Sequence, residues 1–336
     1  MAATLFRPTR VGSGVSEFEI GRREALAGIG GVVAIGGTAG LLGGDSLAGE
    51  GWTTADTDTT ETLHDVAAAA TTAYAVGTNG RVLERGSDGA WTTVLEDGPG
   101  GHGNDLLAVD ATDDGRDIWF AGASGALGAY DTEAGELTFE SGAASDQSAP
   151  GDRTGNFDGL AVTGDGGEAN VYVTDQSGHV YASSDGGETW SDTTPGSGSQ
   201  LPAIDFRSER AGHAVDTDGS VFATTDGETW AEIGVEDADE TYFGVQSDGA
   251  EDVTVVGDGG TVRTYDGAAW GGTTLGDARL NGVTTDGTAV AVGAGGAVFE
   301  GSDWQEANSP TDENLHAVAR GARAYAVGAS GTVIEK

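Results

Sequence analysis

The chain has 336 residues, a formal net charge of −40, 60 glycines, 37% hydrophobic residues and no cysteine. Lacking cysteine, it forms no disulfide, thiolate metal site or cysteine nucleophile; lacking a basic stripe, it is not expected to bind nucleic acid. The acidic excess is spread along the whole chain, a self-repulsion tolerable where concentrated salt shortens electrostatic screening, so a halophilic protein is expected.

In chain order, Gly21-Arg22-Arg23-Glu24-Ala25-Leu26 precedes an uncharged, glycine-studded apolar stretch over residues 25–42. This pattern resembles a twin-arginine export signal, with small residues Ser46 and Ala48 placed for cleavage after Ala48. Retention of residues 25–42 as a membrane anchor is the alternative, since about 18 uncharged residues just span a bilayer. Either way the folded part is expected outside the cytoplasm. Residues 1–48 thus read as leader or anchor and 49–336 as one folded domain.

From residue 63 a three-part unit recurs seven times. It opens on a short apolar run, at Leu63-His64-Asp65-Val66, Leu106-Leu107-Ala108-Val109, Gly159-Leu160-Ala161-Val162, Ala203-Ile204-Asp205-Phe206, Tyr242-Phe243-Gly244-Val245, Leu280-Asn281-Gly282-Val283 and Leu315-His316-Ala317-Val318. An alternating strand, a glycine turn (Gly80, Gly125, Gly178, Gly219, Gly260, Gly296, Gly331) and another strand follow. The unit ends on a polar Asp/Gly turn before Trp91, Trp190, Trp230, Trp270 or Trp304, with Leu137 in the second copy; Trp119 is off this register.

Period-two alternation bounded by Gly, Asp and Ser predicts four short strands per unit. Seven four-stranded units predict an all-β, seven-bladed β-propeller, with blades near 63–95, 106–140, 159–194, 203–234, 242–275, 280–308 and 315–336. The last copy lacks its outer strand. Trp52 precedes Leu63, His64 and Val66 by the same intervals that separate Trp304 from Leu315, His316 and Val318. Residues 51–54 are therefore expected to complete the last blade beside Val333 and close the ring, most simply as a monomer.

The runs AYAVGASGTVIEK, AYAVGTNGRVLERGSDGAW and VYVTDQSGHVYASSDGGETW resemble repeats of the photosystem II stability/assembly factor family and its BNR, or Asp-box, relatives, over residues 50–336. The resemblance implies a seven-bladed propeller. It also implies that Ser183, Asp185, Gly187, Thr189 and Trp190, with the shorter Asp226 and Trp230 version, form structural hairpins opposite the binding face. The family's basic recognition patch does not carry over, because the arginines here are scattered.

An Asp carboxylate accepting N–H groups within its own turn is a structural device, so no catalytic residue is assigned. The enzymatic alternative is a secreted glycan hydrolase or lyase of the sialidase-like type. Its arginine clamp and tyrosine nucleophile find no counterpart, and Phe6-Arg7-Pro8 lies before the presumed leader.

Two constellations are candidates for ligand contact. His64 and His316 occupy matching places in blades adjacent in the ring, where they would share a cation or respond to pH; the plainer reading is a repeat-encoded polar pair. Asp175, Asp216, Asp218 and Asp258 recur in the same hairpin of three blades, as an oxygen-rich Ca²⁺ site or as solvated acidic surface. No cofactor is expected, and the sequence leaves any other metal open. The long interruption at residues 141–158 and the glycine-rich residues 96–104 point to the same face. The expected function is non-catalytic binding of a protein or cell-surface glycan partner, in the manner of an assembly factor.

Overall fold

The computed structural model describes residues 51–140, 155–234 and 240–336. The leader, the 25–42 stretch and the cleavage site lie outside the described residues, as do residues 141–154 of the long interruption. Among the described residues no helix is long and apolar enough to cross a membrane.

Among the described residues twenty-eight strands form seven four-stranded antiparallel sheets arranged as the blades of a propeller. In blade 1 the strands are Leu63–Ala68, Ala73–Gly77, Val82–Arg85 and Trp91–Leu95. The other blades repeat the order, their first strands beginning at Leu106, Phe157, Ala203, Tyr242, Leu280 and Leu315. The second strand of each blade is almost wholly buried, AYAVG at residues 73–77 being an example. Both its faces meet neighbouring blades, so alternation of polar and apolar residues gives way to a continuous small-apolar run.

Closure occurs as the sequence predicts. Thr53–Thr54 pairs antiparallel with Val333–Glu335 as the fourth strand of blade 7, Thr53 opposite Glu335 and Thr54 opposite Ile334. The Ala55 N–H donates to Val333 O at 2.9 Å. Trp52 is buried among Val290, Val298 and Ile334, and its indole N–H donates to Glu300 Oε1 at 3.0 Å. The chain then crosses to blade 1, where the Trp91 N–H donates to Asp56 O and the Asp58 N–H to Trp91 O. Residues 52–58 therefore fasten three blades together.

The turn glycines Gly80, Gly178, Gly260, Gly296 and Gly331 are met closely by the chain leading to the next blade. At Gly331, where φ is +70°, a Cβ would lie 2.2 Å from Thr59 O. Only glycine satisfies both the left-handed backbone and the contact.

Two assignments from the sequence are corrected. The buried residue opening the third copy is Phe157 and that of the fourth is Leu201, two positions before the Gly159 and Ala203 chosen from the sequence. A two-residue slip leaves every side chain on the same face, so the apolar pattern does not reveal it. Trp119, off the register of the outer-strand tryptophans as the sequence indicates, sits where other second strands carry Tyr74, Tyr172 and Tyr325, three residues before the strand ends at the glycine turn. There it packs beneath the next blade's outer hairpin, its Cη2 3.0 Å from where a Cβ of Gly187 would be.

Candidate functional site: the channel mouth

The antiparallel order places the hairpins joining strands one to two and three to four on one face. The hairpins joining strands two to three, with the connections between blades, lie on the other. The first strands surround a central channel of about 290 Å³. Seven aliphatic side chains, Val66, Val109, Leu160, Ile204, Val245, Val283 and Val318, line it at matching positions.

Three carboxylates stitch the inner strands together. Asp65 accepts the Val66 N–H in its own strand and, at 2.9 Å, the Val109 N–H of the next blade. Asp110 likewise accepts from Ala111 and from Val162 across the blade boundary. Asp205 accepts from the Ser247 N–H and the Gln246 amide. Burial pushes the Asp65 carboxyl up to about 7, with the Asp110 charge adding and the two N–H bonds opposing. These roles were not read from the sequence; an Asp inside an otherwise apolar inner strand was the available signal.

On the inter-blade face, the second residue of each first-strand motif forms the channel rim. His64, Asp158, Asn281 and His316 are polar members; Leu107, Pro202 and Phe243 are apolar ones. The two histidines do meet: their rings stack with centroids 5.8 Å apart and planes 12° from parallel. The His316 Nδ1–H donates to Leu63 O at 2.9 Å, and His64 Nε2 lies 3.2 Å from the Thr78 hydroxyl. Burial lowers the His64 pKa and the neighbouring His316 lowers it further, against the opposing charge of Asp105. Asn281 donates to Leu315 O at 2.7 Å, the interaction His316 makes one blade later. Arg279, exposed, lies over the Phe243 ring at 4.5 Å from its centroid. Asp158 accepts from Gln200 at 2.8 Å, and burial raises its pKa.

The acidic candidates sit in separate turns of that face. Asp175 accepts from the Ser177 N–H, the His179 N–H and the Tyr181 hydroxyl, each at 2.9 Å. Asp216 accepts from the N–H groups of Asp218 and Ser220, and Asp218 accepts from the Ser199 hydroxyl. Asp258 opens an exposed turn of its own. The carboxylates of Asp175 and Asp216 hold their own hairpins and do not converge. No group of three or more His, Asp or Glu side chains suited to a metal occurs among the described residues.

On the opposite face, Asp185 accepts the Thr189 N–H at 2.9 Å and hydrogen bonds from the Thr189 and Ser183 hydroxyls. The Ser183 oxygen accepts the Gly187 N–H, and the Trp190 indole donates to Gly187 O. Asp226 repeats the scheme with Thr229 and Thr224, and Trp230 follows at the start of the outer strand. The bonds to Thr189 and Thr229 hold both carboxyls well below the usual range.

No protein-family model and no curated protein matches this sequence. Solved structures do resemble it. The WD40 β-propeller domain of Doa1 superposes with a TM-score of 0.67 at 14% identity, over 85% of this chain and 97% of that one. YCF48 bound to D1 peptide gives 0.64 at 16% identity, over 86% and 96%. YCF48 from Cyanidioschyzon merolae gives 0.61 at 16% identity, over 85% and 98%. At such identities the likeness shows the fold: this chain is a seven-bladed β-propeller similar to those of WD40 proteins and YCF48.

Proposed function

We propose that this protein is an exported, salt-adapted and non-catalytic propeller scaffold whose inter-blade face binds a protein partner. The observation that carries the reading is the channel rim, where an apolar arc at Pro202 and Phe243, the latter under Arg279, faces a polar arc at Asn281, His316 and His64. An extended peptide presents the same mixture of apolar side chains and amide groups. YCF48, similar in fold, has been solved with a D1 peptide, which supports a peptide as the class of ligand. The Asp-box reading of the Asp185 and Asp226 hairpins fits this arrangement, since their carboxylates serve the turn and leave the opposite face to bind.

The non-catalytic part of the reading is supported by where a serine–histidine contact lies. His213 Nδ1 is 2.7 Å from Ser247 Oγ, with Asp205 nearby, yet both residues are sealed between blades 4 and 5. No substrate reaches a nucleophile there. The twin-arginine pattern and dispersed acidity support export into a saline environment.

The test is capture of envelope proteins in molar KCl by the intact protein, compared with Phe243→Ser and Arg279→Asp variants and with Asp185→Asn as a control on the far face. Loss of the captured partner in the first two and retention in the third is expected. Turnover of chromogenic glycosides, abolished by replacing a channel carboxylate such as Asp158, would overthrow the reading in favour of a hydrolase.

A further inference from the structure

Ring closure seals the faces of the blades against one another but leaves the outer strand of each blade at a sheet edge. An open edge presents unpaired N–H and C=O groups, and folded proteins blunt it with shortness, charge or a covering segment. Six blades do so. In blade 1 residues 56–58 run along the edge, the Trp91 N–H donating to Asp56 O and the Thr93 N–H to Asp58 Oδ2. The outer strand of blade 2 begins on Glu136. Those of blades 3, 4, 6 and 7, Ser191–Thr193, Trp230–Glu232, Gln305–Glu306 and Thr53–Thr54, are two or three residues long.

Blade 5 is the exception. Its outer strand, Trp270–Thr274, is five residues long, and Gly271 to Thr274 are all exposed. Residues 267–276, GAAWGGTTLG, include no charged side chain in a chain that carries 55 acidic ones. Towards the blade, the Asp266 N–H donates to Ala269 O and the Leu275 N–H to Gly260 O, in the register that sets Gly272 opposite Arg263. Antiparallel alternation between those bonds turns the N–H and C=O groups of Trp270, Gly272 and Thr274 outward. Among the described residues no hydrogen bond meets these outward groups.

We propose that this edge pairs with the same edge of a second copy of the chain, antiparallel about a two-fold axis at Gly272. In that register Gly272 faces its counterpart and Trp270 faces Thr274, so every outward N–H and C=O finds a partner and the two four-stranded blades join into one continuous sheet. The absence of charge selects this occupant. Pairing the edge with itself buries no carboxylate, whereas two acidic bodies repel one another at a charged approach. A neutral edge also offers a strand from a different protein no charge to recognise, and the small glycine and threonine side chains let two backbones come close. The contact lies on the flank, away from the channel rim, and stands or falls separately from the peptide reading. It replaces the monomer expected from ring closure with a two-fold pair of closed rings.

Sedimentation velocity of the intact protein in molar KCl, over about 1–100 μM, reads the association. A reversible shift towards twice the monomer mass is expected, with micromolar affinity because one pair of strands buries less than the roughly 1,000 Å² of a tight complex. Thr274→Pro removes an outward N–H while leaving the bonds to the third strand in place, and is expected to weaken association by about tenfold or more. Gly271→Glu, at a position where a Cβ meets nothing closer than 3.6 Å, sets like charges on the two facing edges and tests the same point if the proline variant does not fold. Phe243→Ala at the channel rim is expected to leave association unchanged. A parent that stays monomeric across this range, association that survives the edge variants, or its loss in Phe243→Ala would overturn the proposal.

Discussion

Glu335 receives the Arg85 guanidinium through Nε and Nη2, at 2.8 and 2.9 Å, tying the last strand of the chain to blade 1. The Trp91 indole donates to the same carboxylate at 2.9 Å. Both side chains are mostly buried, and the Arg85 and Trp91 bonds outweigh desolvation to keep the Glu335 pKa below its ordinary value. Replacing Glu335 by Gln leaves Arg85 half-paired; a loss of roughly 2 kcal/mol is expected from urea denaturation, below the range for fully buried pairs because of partial exposure. The depressed pKa makes this contribution present above about pH 4.5 and lost as pH falls below it.

Trp52 anchors the closing strand at its other end. Trp52→Ala removes a buried ring and the bond to Glu300, and is expected to cost about 3–5 kcal/mol. Deleting residues 51–58 exposes the edges of blades 7 and 1 together, and light scattering should show aggregation. A truncated protein as stable and monodisperse as the parent would contradict closure by this strand.

Asp65 and His213 give stability opposite pH slopes. The Asp65 pKa rises to about 7 in the fold, so its contribution is full below about pH 4 and declines as pH rises towards 7. Burial lowers His213 to about 4, so its contribution is full above about pH 6.5 and declines as pH falls towards 4. The stability difference between parent and Asp65→Asn should therefore shrink with rising pH, and that between parent and His213→Phe should shrink with falling pH. Differences that stay flat across pH 4 to 7 would contradict both assignments.

Gly187 has φ of +89° and abuts Phe139 and Trp119. Gly187→Ala strains the turn and presses on both rings, for an expected loss of about 1–3 kcal/mol. Partner capture at the inter-blade face should be unaffected once the variant is folded.

Salt tests the acidic surface. Raising KCl from 0.1 to 1 M shortens the screening length from about 10 to about 3 Å, so the melting temperature should climb across that range. Sucrose of equal osmolality serves as control, and a melting temperature indifferent to KCl would contradict salt adaptation.

The seven repeats were legible because each blade is one covalent unit with the same period-two pattern, and the matching intervals after Trp52 and Trp304 revealed where the missing strand lay. The meeting of His64 and His316 was legible for the same reason: ring closure makes the first and last copies neighbours. Phe157 and Leu201 were misplaced by two residues, a slip that conserves side-chain faces and so leaves no trace in hydropathy.

The sequence by itself thus determined the blade count, the glycine turns and the closing strand, all set by local periodicity within a single unit. Only the tertiary structure decided what crosses between units: the Asp65 and Asp110 stitches, the Trp119 seat beneath Gly187, and the pairing of Arg85 with Glu335. Those contacts join residues on different strands and mostly different blades, and they depend on distances and burial that residue order does not encode.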